Sequence, residues 1–250
     1  MRTLENALRR VGFARVAGVD EVGRGCLAGP VVAAAVVLDP GRHIPGVSDS
    51  KAVPMPERER LFDQILAGAV AWAVASADAA EIDRINIHQA SLLAMQRAVL
   101  ALAPLPDMVL VDAFRIPDLP MAQRGVPHGD RRCSAIAAAS IVAKVTRDRQ
   151  MVELHGRDPR YGFDRHKGYA TREHLDAVAR HGYSDAHRRS FRRHQSHSGH
   201  TCGIHRGATD ACNAAANAAS PLTRSRQARA MPLRRPFSTS LKPSGSMVSV

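Results

Sequence analysis

The hydrophobic pattern divides roughly the first two hundred residues into strand-like and helix-like segments. Runs of small and β-branched residues predict strands over about 13–20, 29–39, 69–75 and 108–112. Apolar positions at helical spacing predict helices over about 54–67, 80–103, 134–154 and 171–181. Strands interleaved with helices in this way are typical of an α/β fold.

The periodic pattern stops after about Ser196, where the composition also changes. Residues 197–250 consist mainly of Ser, Ala, Thr, Arg, Pro and Gly, with few large apolar side chains. Such a segment buries too little apolar surface to offset its chain entropy, so we expect it to be disordered. The sequence therefore predicts one folded domain over 1–196 and a basic tail over 197–250. The tail either adds salt-dependent affinity for nucleic acid or has no specific role.

The balance of charges favours a polyanionic partner. The formal net charge is +12 and the isoelectric point is near 10.7, values typical of proteins that bind nucleic acid.

No apolar run approaches the length of a membrane span, and the first residues lack the apolar segment of a signal peptide, so we expect a cytoplasmic protein. The four cysteines form neither a C-x-x-C pair nor a zinc-binding spacing, which predicts unpaired thiols.

One short stretch combines an apolar strand, two acids and closely spaced glycines: Val16-Ala-Gly-Val-Asp20-Glu21-Val-Gly23-Arg24-Gly25, with Gly29 following. Because side chains alternate along a strand, Asp20 and Glu21 should point to opposite faces unless a bulge re-aims one of them. The glycines predict a tight turn that another backbone can approach closely. A dinucleotide-binding fingerprint is one alternative, but it needs a helix where the sequence predicts a second strand. A plain hairpin turn with two surface acids is the other.

Two further acids occupy comparable positions. Asp112 ends a predicted strand, and Asp130 stands just before a predicted helix. Carboxylates without histidine or cysteine at ligand spacing are typical of a site for a hard cation such as Mg²⁺ or Mn²⁺. Two such ions about 4 Å apart can support the hydrolysis of a phosphodiester. Each acid alone has a plainer interpretation, and Asp130 in particular could cap the following helix.

Several short blocks follow one another along the chain: Ala17-Gly-Val-Asp-Glu-Val-Gly-Arg-Gly, Ser48-Asp-Ser-Lys, Ile85-Asn-Ile-His-Gln-Ala-Ser-Leu-Leu-Ala-Met, Leu110-Val-Asp, Gly129-Asp, Ile136-Ala-Ala-Ala-Ser-Ile-Val-Ala-Lys-Val-Thr-Arg-Asp, His166-Lys-Gly-Tyr and His187-Arg-Arg-Ser-Phe. Any one block is a weak signal, whereas all of them in this order are specific. Over roughly residues 13–195 the chain thereby resembles bacterial ribonuclease HII, the type 2 ribonuclease H family.

The resemblance implies a ribonuclease H-like fold, in which helices flank a central mixed sheet and a small helical region follows at the C-terminal end. It implies an endonuclease, acting as a monomer, that hydrolyses the RNA strand of RNA/DNA hybrids. It also implies incision on the 5′ side of single ribonucleotides embedded in duplex DNA, leaving 3′-hydroxyl and 5′-phosphate ends. The implied catalytic and metal-binding residues are Asp20, Glu21, Asp112 and Asp130, with two Mg²⁺ or Mn²⁺ ions per site.

The resemblance further implies that Gly23, Arg24 and Gly25 read the 2′-hydroxyl at the RNA–DNA junction. This role is chemically reasonable, because backbone groups exposed in a glycine turn can hydrogen-bond a hydroxyl that DNA lacks. Tyr169 occupies the position of a tyrosine that stacks beside the junction, and a half-buried packing role is its alternative. Tyr161, in the same predicted loop, is expected to pack in the interior.

Two pairs of residues are candidates for contacts with the phosphate backbone. Ser140 and Lys144 are one helical turn apart and share a face, and Ser50 and Lys51 adjoin each other in a polar loop. The alternative for both lysines is a solvated surface charge.

The chain departs from the family pattern at two places. Ala113 and Phe114 follow Asp112 where many members have Gly-Asn, and His128 stands where a lysine is common.

Three rival functions are a general nuclease of the same fold, a nucleic-acid-binding protein with structural acids, and ribonuclease HIII. The last normally carries an extra N-terminal domain, whereas only about a dozen residues precede the first predicted strand.

Overall fold

The computed structural model describes residues 3–48, 50 and 53–194, so the predictions for Lys51 and for the tail over 197–250 lie outside the described residues. Five strands are present in this part of the chain: β1 (Val16–Val22), β2 (Val31–Leu38), β3 (Ala69–Ala77), β4 (Met108–Asp112) and β5 (Ala122–Val126). They form one sheet in the order β3-β2-β1-β4-β5. The β1–β2 and β2–β3 pairs are antiparallel and the β1–β4 and β4–β5 pairs are parallel, so the sheet is mixed, as expected.

Helices cover both faces of the sheet. They are α1 (Thr3–Arg10), α2 (Met55–Gly68), α3 (Ala79–Ile85), α4 (Ile87–Leu100), α5 (Gly129–Arg132), α6 (Ser134–Arg157), α7 (Phe163–His166) and α8 (Arg172–His181). One apolar core lies between the sheet and helices α2 and α6, and a second lies between the sheet and α4. Successive residues of β2 alternate between these two cores, which explains why the whole strand is apolar.

Helix α6 lies unusually close to the central strand β1. A Cβ atom built on Gly18 would stand 2.1 Å from the backbone carbonyl carbon of Ala135, so no larger residue fits there without movement. The buried face of α6 is rich in alanine, which permits the same close approach from the helix side. This contact fixes the end of β1, where Asp20 and Glu21 lie, against the start of α6.

The helix predicted over about 80–103 is two helices, and that prediction was wrong in this respect. Asn86 separates α3 from α4 with a φ angle of +67°, which a continuous helix cannot accommodate. Its side-chain oxygen accepts hydrogen bonds from the backbone N–H groups of His88 and Gln89 at 3.0 and 3.1 Å. Asn86 therefore ends one helix and caps the next, and the apolar periodicity continues across the break.

Strand β5 was not predicted, because the sequence pattern there favoured a loop. It pairs in parallel with β4 at the edge of the sheet, and Val126 is its one buried residue. A short edge strand with alternating exposed polar residues carries almost no hydrophobic signal.

The expected C-terminal helical region is present. It contains α7, α8 and two short 3-10 segments (Pro159–Tyr161 and Arg189–His194), and it has a small apolar core of its own around Tyr161 and Phe163. Met151 of α6 joins this core to the main domain. Of the helices in the described residues, none combines the length and the apolarity that crossing a membrane requires.

Candidate active site

Three carboxylates lie near one another where β1 and β4 end side by side. The strands run in parallel, with Val19 opposite Val111, so Asp20, Glu21 and Asp112 reach the same edge of the sheet. Asp20 is only 8% exposed. Burial, and then the nearby charges of Glu21 and Asp112, raise its pKa to about 8. Burial also raises the pKa of Glu21, whose partner Arg24 acts in the opposite direction.

Asp130 follows a residue that is tied to Asp112 through the backbone. The N–H group of Gly129 donates to Oδ1 of Asp112 at 2.8 Å, which fixes the start of α5 beside the end of β4. Asp130 is half-buried in the first turn of α5, whereas the N-cap position of α6 is Cys133. The alternative that Asp130 caps the long helix was therefore wrong.

Two serines extend the group behind Asp20. The hydroxyl oxygens of Ser50 and Ser140 lie 2.8 Å apart, and both residues are more than nine-tenths buried. Ser140 also forms a side-chain hydrogen bond with Asp20, which lowers the pKa of that carboxyl against the larger effect of burial. Lys144, one turn further along α6, forms an ion pair with Asp148 at 2.7 Å between Nζ and Oδ1. Both serines thus support the buried carboxylate, and their predicted phosphate contacts stay predictions.

The glycine turn that follows β1 exposes backbone N–H groups on its outer side. Gly25 is exposed, and the N–H groups of Arg24 and Gly25 have no acceptor within the described part of the chain. The Arg24 side chain contacts Glu21 at 3.2 Å and lies over the ring of Phe114 at 5.1 Å from its centroid. Phe114, one of the two departures from the family pattern after Asp112, therefore helps to hold Arg24 next to the acids.

Sequence reasoning missed two buried arginines behind this turn. Arg147 and Arg188 are at most 1% exposed, and both donate to backbone carbonyls of residues 23–30. For Arg147 a signal existed, because it lies two helical turns after Ser140 on the buried face of α6. A charged residue at a core position of a helix indicates a specific buried partner.

Tyr169 stands at the other side of the turn and is 45% exposed. Its loop is fixed by the backbone, since Leu27 N–H donates to the carbonyl of Gly168 at 2.8 Å. Burial of part of the ring raises the pKa of the Tyr169 hydroxyl, and the nearby Cys26 raises it further. Tyr161 is buried and donates to the carbonyl of Gly182 at 3.0 Å, so its expected packing role is confirmed.

Comparison with known proteins identifies the family. The family model for ribonuclease HII matches residues 17–195. The chain is 56% identical over 176 residues to ribonuclease HII from Burkholderia mallei, and the match covers 70% of this chain and 82% of that protein. Ribonuclease HII from Burkholderia thailandensis gives the same values.

Solved structures agree with these sequence matches. Ribonuclease H2 from Pyrococcus horikoshii superposes with a TM-score of 0.61 at 25% identity, covering 71% of this chain and 94% of that one. Ribonuclease HII from Archaeoglobus fulgidus, solved in complex with PCNA, gives a TM-score of 0.60 at 25% identity and covers 71% and 95% of the two chains. On the strength of the family model and of these relatives, the chain belongs to the ribonuclease HII family and is a ribonuclease H, an endonuclease acting on RNA paired with DNA.

Proposed function

We propose that this enzyme also incises duplex DNA on the 5′ side of single embedded ribonucleotides, and that Asp20, Glu21, Asp112 and Asp130 carry out the hydrolysis. One observation supports the proposal most directly. The carboxylates at the ends of β1 and β4 stand next to a turn with two N–H groups that have no acceptor among the described residues, so a reacting phosphate and the neighbouring 2′-hydroxyl can be held together.

The oxygen atoms of these carboxylates are suitable ligands for a hard divalent cation. Asp20, Glu21 and Asp112 offer only oxygen ligands, and each of the first two has its pKa raised in part by Asp112. A bound cation would relieve this repulsion. Among residues 3–48, 50 and 53–194, no three His, Cys, Asp or Glu side chains are grouped so that they could hold a metal ion by themselves. In the proposed complex, water and the phosphate oxygens of the substrate would complete the coordination of the ions.

Two Mg²⁺ or Mn²⁺ ions, when bound, supply an activated water and neutralise charge on the leaving oxygen. The four carboxylates would hold these ions, and Ser140 would keep the Asp20 side chain in place through its hydrogen bond. Water adds to phosphorus while the bond from phosphorus to the 3′-oxygen breaks. The water loses a proton and the 3′-oxygen gains one, which leaves a 3′-hydroxyl and a 5′-phosphate.

Selectivity for a ribonucleotide would come from the glycine turn and Tyr169. A 2′-hydroxyl oxygen can accept from the N–H groups of Arg24 or Gly25, whereas deoxyribose leaves those donors unsatisfied. The exposed ring of Tyr169 would stack on the sugar or base next to the junction. Lys144 and Lys51 would attract the backbone phosphates through their charge, and Ser50 and Ser140 would contribute hydrogen bonds to the phosphate backbone.

The test is a cleavage assay on a labelled duplex that contains one ribonucleotide, with an all-DNA duplex as control, in Mg²⁺, Mn²⁺ or EDTA. We expect a nick on the 5′ side of the ribonucleotide that EDTA abolishes, and no cutting of the control. Cutting of both duplexes would indicate a general nuclease. Binding without any cutting would mean that the acids are structural.

The Asp112→Asn variant tests the role of the acids. Asparagine keeps the oxygen that accepts from Gly129 N–H, so the fold at the end of β4 should survive. We expect activity to fall by at least about a hundredfold, because a charge that contacts the reacting centre is lost. Asp118→Asn, the same substitution at an exposed position of the following loop, is the matched control. Full activity of Asp112→Asn would overturn the assignment.

A further inference from the structure

Two arginine side chains are buried behind the glycine turn without a carboxylate partner. Arg147 is 0% exposed and Arg188 is 1% exposed. Within the described residues, neither guanidinium has an Asp or Glu oxygen within 4.0 Å. A buried cation is costly unless it is hydrogen-bonded, so what these side chains bind indicates why they are there.

Arg188 binds the carbonyl groups of the turn itself. Its Nη2 donates to the carbonyl of Gly23 at 2.7 Å, and its Nη1 donates to that of Arg24 at 2.8 Å. Its Nε and Nη2 also donate to the carbonyl of Gly29 at 3.0 and 2.9 Å. One planar guanidinium thus holds both ends of the turn with four hydrogen bonds from three nitrogens, whereas an ammonium group has three donors on a single nitrogen.

Arg147 ties the same segment to the loop that carries Tyr169. Its Nε donates to the carbonyl of Pro30 at 2.9 Å, its Nη2 to that of Ala28 at 3.2 Å, and its Nη1 to that of Lys167 at 2.9 Å. A Cβ atom on Gly23 would lie 2.2 Å from Nε of Arg147, so the turn is packed directly on this side chain.

The two arginines leave the turn with donors but few acceptors on its outer side. The carbonyls of Gly23 and Arg24 are occupied from within, whereas the N–H groups of Arg24 and Gly25 have no acceptor in the described chain. A free carbonyl would attract water or a divalent cation away from the acids. A turn with free N–H groups over two positive charges instead favours a hydroxyl oxygen or a phosphate.

We propose that Arg188, supported by Arg147, is a positioning residue that makes the glycine turn a donor surface and so sets the preference for a ribonucleotide over a deoxyribonucleotide. The inference rests on the proposed function, because it assumes that this turn contacts the 2′-hydroxyl. Burial lowers the pKa of Arg188 to about 10, so the guanidinium still carries its charge at neutral pH.

The test compares Arg188→Lys with Arg189→Lys in the full-length chain. Lysine keeps the positive charge, but its three N–H donors are on one nitrogen and cannot reproduce the four hydrogen bonds of Arg188. Arg189 is the adjacent, exposed arginine and serves as the matched control. Fluorescence anisotropy in Mg²⁺, with Asp112→Asn present in every protein to prevent cleavage, gives the Kd for a one-ribonucleotide duplex and for the same duplex in all-DNA form.

We expect Arg188→Lys to reduce the preference for the one-ribonucleotide duplex over the all-DNA duplex by about tenfold, which is the effect of misplacing one or two hydrogen bonds to the hydroxyl. The Kd for the all-DNA duplex should change by less than about twofold. Arg189→Lys should leave the ratio unchanged. A purely structural role would weaken both affinities together and keep their ratio, which would overturn the inference. Absence of any ribonucleotide preference in the parent protein would overturn the proposed 2′-hydroxyl contact as well, so the two failures are distinguishable.

Circular dichroism identifies a variant that does not fold. Should Arg188→Lys fail in this way, Arg147→Lys takes its place, because it releases the carbonyls of Ala28 and Pro30 without touching those of Gly23 and Arg24. We expect a smaller loss of the affinity ratio, about threefold. An unchanged ratio in folded Arg147→Lys would overturn the inference that the buried arginines set the preference for a ribonucleotide.

Discussion

The Nε2 atoms of His174 and His187 lie 3.1 Å apart in the interior beneath the Tyr169 loop. His174 Nδ1 must donate, because it lies 2.8 Å from the carbonyl oxygen of Tyr169, so its Nε2 is an acceptor. His187 Nδ1 accepts from the N–H group of Ser184 at 3.0 Å, so its Nε2 carries the proton. Both rings are therefore neutral with a fixed tautomer, and a further proton on either one breaks a hydrogen bond.

This arrangement predicts a loss of stability at acidic pH. Burial, and then His174, lower the pKa of His187 to about 4, below the ordinary value of 6.5. The unfolded chain therefore binds more protons between these values, so the stabilisation is complete above about pH 6.5 and is lost as the pH falls towards 4. Asp158 and His166 are the other titratable groups that act on His187, and Tyr183 faces its ring.

The comparison of His187→Asn with wild type by thermal unfolding checks this prediction. Asparagine can still accept from Ser184 N–H but has no ionisable group. The variant should be less stable than wild type at pH 7.5, and the difference should shrink as the pH falls to about 4.5. The exposed His181→Asn is the control and should show no such trend. A difference that stays constant with pH would contradict the prediction.

Asp20→Asn should stabilise the metal-free protein while abolishing activity. Burial and the charges of Glu21 and Asp112 raise the pKa of Asp20 to about 8, so the folded state retains a proton that the unfolded state releases near pH 3.8. Stability from this group therefore falls as the pH rises through that window. Asparagine removes the dependence and keeps an oxygen for Glu21 N–H, 2.8 Å away.

Urea unfolding in EDTA measures this effect. We expect the free energy of unfolding of the variant to exceed that of wild type by several kcal/mol at pH 8 and to match it near pH 4. Asp118→Asn, at an exposed site, should show no gain at either pH. Lower stability of Asp20→Asn at pH 8 would mean that the carboxylate is stabilising in the absence of metal.

The sheet and the positions of the acids follow closely from the sequence, because they depend on local pattern. The strand over Val16–Val22 and the long helix over Ser134–Arg157 each carry a strong apolar signal, and the predicted bounds differ by a few residues. Strand β5 carries no such signal, since it is defined by its pairing with β4 rather than by its own residues. The break at Asn86 depends on a left-handed backbone that apolar periodicity does not reveal.

The candidate site was predictable only in part for a related reason. The acids and glycines are recognisable as residue types, and the resemblance to a family gave them roles. Arg147 and Arg188 bind backbone carbonyls, which every residue possesses, so no partner residue in the sequence marks them. The serine pair behind Asp20 joins residues 90 positions apart, and nothing in the local pattern connects them.

Ala113→Gly should stabilise the protein. Ala113 follows Asp112 with a φ angle of +62°, in the left-handed region where a side chain costs roughly 1–2 kcal/mol. Part of the gain is offset by the greater freedom of glycine in the unfolded chain, so we expect a net increase of about 0.5–1 kcal/mol in urea unfolding. Ala101→Gly, at an exposed position with a φ angle of −84°, should instead lose stability. Equal effects of the two substitutions would show that the backbone at Ala113 is unstrained.

Tyr169 and Tyr161 offer a matched pair of aromatic residues with opposite expected behaviour. The Tyr169 loop is fixed by backbone groups, through the carbonyls of Gly168 and Tyr169, so Tyr169→Ala should change the free energy of unfolding by less than about 1 kcal/mol. It should lower kcat/KM on the one-ribonucleotide duplex by about tenfold or more, because base or sugar stacking is lost. Tyr161→Ala empties a buried position and should cost about 3–5 kcal/mol of stability.

Tyr169→Phe separates the ring from its hydroxyl. If stacking is what the substrate needs, phenylalanine should retain most of the wild-type kcat/KM, since the exposed ring is preserved. If Tyr169→Ala cleaves as well as wild type, the ring has no role in substrate binding. If Tyr169→Phe is as impaired as Tyr169→Ala, the hydroxyl next to Cys26, rather than the ring face, makes the contact that matters.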